Sequence, residues 1–307
     1  MKKIIITIAA ITLATALTNC AKSSGDNTPI VEFRAGMGED SPETRLTLVD
    51  KVKVRWVNSD KVSIFDDNAT NCKFTATTAD EGVTATLRGT GTFAGVSVEK
   101  QTASENLGFA TTYYATYPYV SAITFDQSTK TFSFPANTTI SGNQFANSGD
   151  FSKGKGTNNA QGVYVAKSGN GFFHFVPVTA FLKFTLTQND IKKIRFNNNG
   201  NAPQLAGTFT VDYSGDTPVI TPTSTNSNEV VFAADASFSA AIPAGTYYLS
   251  VLPFLSNKGT DGETIQIKCL IHTDETANGK HVKQINLTRY MNLTPGKILD
   301  IGTLAHD

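Results

Sequence analysis

Short runs of alternating or β-branched residues recur along this sequence with almost no helical period between them, which restricts it to folds built from strands. Lys51–Trp56 alternates strictly and sets Val52, Val54 and Trp56 on one face. Lys61–Phe65 repeats the pattern with Val62 and Ile64, or Phe65, inward. Strands are also expected at Ile30–Phe33, Asn71–Thr75, Thr84–Leu87, Tyr113–Tyr117, Lys130–Phe134 and Gly162–Val165, with Gly, Asn and Asp clusters between them. A turn at Gly169-Asn170-Gly171 opens a second series. It comprises Phe172–Val176, Ala180–Leu186, Lys193–Phe196, Gly207–Tyr213, Glu229–Phe232, Gly245–Pro253, Thr264–Ile271, Val282–Leu287 and Ile298–Ile301. The one helical hint, a weak one, spans Thr187–Lys192. Two such series predict an all-β chain of two sandwich domains, 30–170 and 171–307, although Phe172–Leu186 would equally serve to end the first.

The N-terminus reads differently. Lys2 and Lys3 precede an apolar stretch, Ile4–Leu17, too short for a permanent membrane span, and Leu17-Thr18-Asn19-Cys20 closes it. Residues 1–19 are therefore expected to be a signal peptide. The tetrapeptide resembles a bacterial lipobox, with Asn19 where a smaller residue is usual. That resemblance implies acylation of Cys20, by palmitate among other chains, and several chains on one residue anchor stably where a single chain does not. Residues 20–29 are small, polar and end at Pro29, as a tether does. Ala21 follows the cysteine with no inner-membrane-retaining aspartate, and by resemblance to the sorting rules of bacteria with two membranes the expected address is the outer membrane and cell surface.

Composition removes several functions. The 26 basic and 26 acidic residues balance, and losing Lys2 and Lys3 with the leader leaves a slight acidic excess, so the chain lacks the footprint of a nucleic-acid binder. With Cys20 acylated, Cys72 and Cys269 remain, too few for a disulfide scaffold and too far apart in sequence for a clustered zinc site; whether they pair stays open. No nucleophile stands beside a base. His174 lies in an apolar strand as a structural residue, His272 and His281 flank a loop that turns at Asn278-Gly279, and His306 belongs to the terminus. Asp66-Asp67-Asn68 reads as a turn in preference to a calcium loop, and Gly154-Lys155-Gly156-Thr157 lacks the frame of a phosphate loop. In Tyr113–Tyr119 the alternation puts Tyr113, Ala115 and Tyr117 on one face of a half-buried strand, which is favoured over a sugar-stacking platform. No catalytic residue, metal or cofactor is expected.

The order of the segments resembles the fimbrillin-like proteins of Bacteroides-type bacteria, the subunits and accessory proteins of their lipoprotein-derived (type V) pili. The matching pieces are the lipobox cysteine and tether, Ile30-Val31-Glu32-Phe33-Arg34-Ala35-Gly36, and Glu43-Thr44-Arg45. Trp56 to Phe65 follows, then Tyr113 to Tyr119, then Phe173-His174-Phe175 with Ala180 to Phe184, and last Leu293-Thr294-Pro295-Gly296-Lys297 before a final strand. The resemblance implies two tandem transthyretin-like β-sandwich domains and adhesion in place of catalysis. It also implies assembly in which an arginine-specific protease removes the first strand and another subunit's terminal strand fills the groove, with other fimbrial subunits as partners and the receptor unknown.

On that basis the displaced strand is Ile30, Val31, Glu32 and Phe33. Arg34 lies within it, whereas Arg45 follows Ser41-Pro42-Glu43-Thr44, an exposed, turn-like context, and is the expected cut site. The donor-strand candidates are Ile298, Leu299 and Ile301, in a segment that alternates imperfectly, with Ile298, Asp300 and Gly302 on one side. If Arg45 is not cut, the chain is a pilus anchor or accessory subunit, or a non-polymerising lipoprotein that binds carbohydrate or protein. Mass spectrometry of the protein before any further processing is expected to find acylated Cys20 as its first residue.

Overall fold

The computed structural model describes residues 30–37, 56–78, 83–93, 111–134, 143–145, 162–198, 204–223, 229–234, 239–253, 265–273, 280–287 and 293–306. The leader, Cys20, the tether, Arg45, Lys51–Arg55, Gly154–Thr157 and Asn278-Gly279 lie outside the described residues. Every described regular element is a strand, and Thr187–Lys192 forms no helix. In chain order the first ten are β1 (Ile30–Met37), β2 (Lys61–Phe65), β3 (Asn71–Thr77), β4 (Thr84–Thr90), β5 (Tyr113–Tyr117), β6 (Thr124–Asp126), β7 (Thr131–Phe134), β8 (Asn143–Phe145), β9 (Tyr164–Ser168) and β10 (Phe172–Pro177). Then follow β11 (Ala180–Leu186), β12 (Lys193–Asn198), β13 (Phe209–Asp212), β14 (Val219–Pro222), β15 (Glu229–Ala233), β16 (Gly245–Val251), β17 (Ile265–His272), β18 (Lys280–Leu287) and β19 (Ile298–Leu304).

Seven strands close into a ring in the order β1-β10-β9-β5-β2-β3-β4. Local chemistry sets its turns. Between β2 and β3, the Asp66 carboxylate accepts the backbone N–H groups of Asn68 and Thr70 at 2.9 Å and of Thr92 at 3.1 Å. This is an Asx turn, in keeping with the turn expected at Asp66-Asp67-Asn68. Between β9 and β10, the Ser168 hydroxyl accepts the Gly171 N–H at 2.9 Å, and Gly171 takes a φ of 89° that suits glycine.

The ring interior is filled by alternate residues. Trp56 packs edge-on to Tyr117 and Phe175 at 5.4 and 5.3 Å. Gly89 is required because a Cβ there would come within 2.7 Å of the Phe74 ring and 2.8 Å of the Lys73 carbonyl. Strands β2, β5 and β9 are covered on both faces. Val62, Ile64, Tyr113, Ala115, Tyr117, Tyr164 and Ala166 face the ring interior, while Phe65, Tyr114 and Val165 face a second core. All five residues of β5 are buried, so its tyrosines present no surface on which a sugar would stack.

The second core is enclosed by three sheets, β16-β11-β19, β18-β17-β12-β15-β8 and β14-β13-β7-β6. Its large residues include Phe132, Phe184, Phe196 and Phe232, with Phe134 stacked on Phe209 at 4.5 Å. Pairing crosses residue 170 in both directions. β10 pairs with β1 and β9 on the ring side, whereas β7 pairs with β13 and β8 with β15.

Cys72 on β3 and Cys269 on β17 are buried in different cores and form no disulfide. Burial, with the nearby Asp66 charge, pushes the Cys72 thiol up to about 11 from its ordinary 9.0. The folded state therefore holds this proton more tightly than the unfolded chain. Its contribution to stability is complete below pH 9.0 and is lost as pH rises toward about 11. Urea unfolding across that range is expected to show a fall in stability that is smaller in Cys72→Ala.

Candidate functional site

Strand β1 closes the ring, and its sequence alternates without exception. Val31, Phe33 and Ala35 are buried in the interior, while Ile30 and Arg34 are exposed and Glu32 is half-buried. One edge pairs antiparallel with β4 along its length, from Ile30 opposite Thr90 to Gly36 opposite Thr84. The other edge pairs parallel with β10 over its second half only, from Arg34 opposite Phe172 to Met37 opposite Phe175. The Arg34 N–H donates to the Gly171 carbonyl at 2.9 Å where that pairing begins.

Phe33 is the center of the seat. Its ring lies 5.3 Å from Phe93 and Phe173, 5.6 Å from Phe74 and 5.9 Å from Tyr113, all at tilted or edge-on angles. Such pairs favor offset geometry and add about 0.5–1.5 kcal/mol each beyond area burial. Burial also raises the Tyr113 phenol well above its ordinary range, helped by a hydrogen bond with Asp67. Outside, Glu32 and Arg88 form an ion pair at 2.7 Å across β1 and β4, with Arg88 65% exposed. A pair so open to water contributes under about 1 kcal/mol. The hold on β1 is therefore its backbone ladders and three inward side chains.

The donor-strand candidates Ile298, Leu299 and Ile301 lie in β19, which pairs parallel with β11 in the chain's own second core. A bulge explains the imperfect alternation. Lys183 opposes Asp300 and Phe184 opposes Gly302, leaving Ile301 as the extra residue, and Gly302 takes a φ of 78°. Ile301 and Leu304 are buried as a result, and Ile298 and Leu299 are half-buried.

The displaced-strand candidates Ile30, Val31, Glu32 and Phe33 thus fall in one strand with one seat, far in the sheet order from Ile298, Leu299 and Ile301. His174 is exposed on the outer face of β10, its ring 4.6 Å from Phe172. Among the described residues there is no group of three His, Cys, Asp or Glu side chains placed to hold a metal. A cleft of about 290 Å³ lies beside Asp66, Gln127 and Lys130, over the buried rings of Phe65, Tyr114 and Phe125. Sequence reasoning missed the aromatic surround of Phe33. Alternation in Asn71–Thr77 and Phe172–Pro177 signals that Phe74 and Phe173 point inward, but not that both meet β1.

No family model and no curated protein matches the chain. Among solved structures, a candidate cell adhesion protein of Bacteroides ovatus is similar at 13% identity and a TM-score of 0.46, over 90% of this chain and 93% of that one. A fimbrial protein of the same species is similar at 12% identity and a TM-score of 0.32, over 81% of this chain and 44% of its own. The tip fimbrial protein Mfa3 of Porphyromonas gingivalis is similar at 8% identity and a TM-score of 0.25, over 84% of this chain and 81% of its own.

Truncating Phe33→Ala is expected to cost about 3–5 kcal/mol in urea unfolding, because four rings anchored on separate segments cannot collapse into the space. Glu32→Gln is expected to cost under about 1 kcal/mol in the same measurement.

Proposed function

We propose that this chain is a structural or adhesive subunit of a surface fimbria, exported as an outer-membrane lipoprotein through Cys20 and without a catalytic role. In this reading, proteolysis at Arg45 frees β1, and a strand of another subunit takes its place. The observation that carries the proposal is the position of β1. It is the first described strand in the chain and its buried residues belong to the ring interior alone, so its departure would open the ring while leaving the strands of the second core in place.

The energetics support exchange over simple loss. An empty seat would expose the edges of β4 and β10 and the apolar lining that Val31, Phe33 and Ala35 now cover. A large apolar side chain is worth about 1.5–3 kcal/mol when buried, so the open state is a strong acceptor for a new strand. Strand addition suits such a seat, because ladder hydrogen bonds give affinity and alternate side chains give specificity.

Arg34 is a poor protease site in the folded chain, because its backbone is paired on both sides. Arg45 lies beyond the end of β1, so a cut there would separate the strand from the rest of the molecule.

Protein recovered from the cell surface is expected to begin at Leu46 and to run as SDS-resistant ladders, and Arg45→Ala is expected to abolish both. Acylated Cys20 on every wild-type molecule, with no ladder, would overturn strand exchange and leave a lipid-tethered anchor, accessory subunit or stand-alone binding protein.

A further inference from the structure

We infer that the seat of β1 selects an incoming strand with an aliphatic, aromatic, small pattern centered on the Phe33 position and rejects this chain's own last strand, so the replacing strand is not the C-terminal strand of a second copy. The inference rests on the exchange reading above and specifies the partner at that same seat.

The seat has three inward positions with different sizes. Val31 lies opposite Gly89 and Ala35 opposite Ala85, while Phe33 stands among the four rings between them. Those rings come from β3, β5, β10 and the segment after β4, so they are fixed from several directions. An aliphatic side chain in their midst would leave ring edges without contacts. The Ala35 position is limited by its place between Ala85 and Phe173. Next to it, a Cβ on Gly36 would come 3.1 Å from the Phe172 ring on the outer face. The seat therefore reads aliphatic, aromatic, small at alternate positions.

No register of the C-terminal segment supplies that pattern. Residues 296–307 contain no Phe, Tyr or Trp. The best register places Leu299, Ile301 and Thr303 inward, with an aliphatic center and a hydroxyl in the alanine position. Moving two residues along brings Thr303 to the center, and using the opposite face brings Asp300 there.

The last strand is also held where it is. Ile301 and Leu304 are buried in the second core, and Asp300 pairs with Lys183 at 3.2 Å. The Gln188 amide donates to the His306 carbonyl and accepts the His306 N–H, each at 2.8 Å, while the His306 ring meets the Asp190 carboxylate at 2.9 Å. One side chain thus ties both backbone groups of the second residue beyond β19.

The test uses the full mature chain, cut at Arg45 with an arginine-specific protease. Fluorescent peptides are then titrated against it: residues 30–37, the same peptide with Phe33→Leu, and residues 296–306. The native peptide is expected to bind about tenfold or more tightly than the Phe33→Leu peptide, and the C-terminal peptide is expected to show no saturable binding. Equal affinities for the first two peptides, or C-terminal binding within about threefold of native, would overturn the inference. SDS-resistant ladders from the cut chain alone would support strand exchange and overturn the selectivity. Retention of β1 after complete cleavage that excess native peptide cannot displace would sink both readings, and native-peptide binding as tight to the uncut chain as to the cut one would overturn the assignment of the peptide's site to the seat.

Discussion

The packing of Phe33 among four aromatic rings is the interaction on which the closed ring depends. Hydrogen bonds along β1 set its direction and register, but nearly equivalent ladders would form with any extended segment. The ring of Phe33 distinguishes this strand from others, because it fills a space whose walls come from several parts of the sheet. Val31 and Ala35 flank it with smaller side chains that the neighboring backbone allows. Closure is therefore specified by the pattern of side-chain sizes more than by charge, since the ion pair of Glu32 with Arg88 lies open to solvent.

A second constraint joins the ring to the rest of the molecule. Along β9, Tyr164, Val165 and Ala166 face alternately into the ring interior and the second core, and Ile64 and Phe65 do the same at the end of β2. A strand with apolar contacts on both faces has no solvated side, which accounts for the uninterrupted burial of β5. The Gln127 amide, which donates to the Asp66 and Asp67 carbonyls at 3.0 and 3.1 Å, ties the β2–β3 turn to the segment after β6.

Much of the strand order was legible because it is written locally. Lys61–Phe65, Tyr113–Tyr117 and Ala180–Leu186 form strands with the expected limits, and the turn at Gly169-Asn170-Gly171 lies between β9 and β10. Three strands went unread. β6 and β8 are too short to show a period, and β14 ends in Pro222. Double coverage of β2 and β5 was also hidden, since alternation names two faces but not whether each meets a core. The parallel pairing of β1 with β10 was illegible for a related reason, because nothing in Ile30–Met37 encodes a partner so distant in sequence. For the candidate site, the first strand could be read as the element of interest, while the aromatic surround that gives it specificity could not.

That distant partner has a consequence for the order of folding. Residues 30–37 leave the ribosome early, yet the edge that receives Arg34 exists only once Phe172 has been synthesized and β10 has paired with β9. Closing so long a loop delays the contact on entropic grounds. The first of the ring's described strands can thus be fully seated only after the last of them, β10, has formed, and until then one edge of its seat is missing from the growing chain.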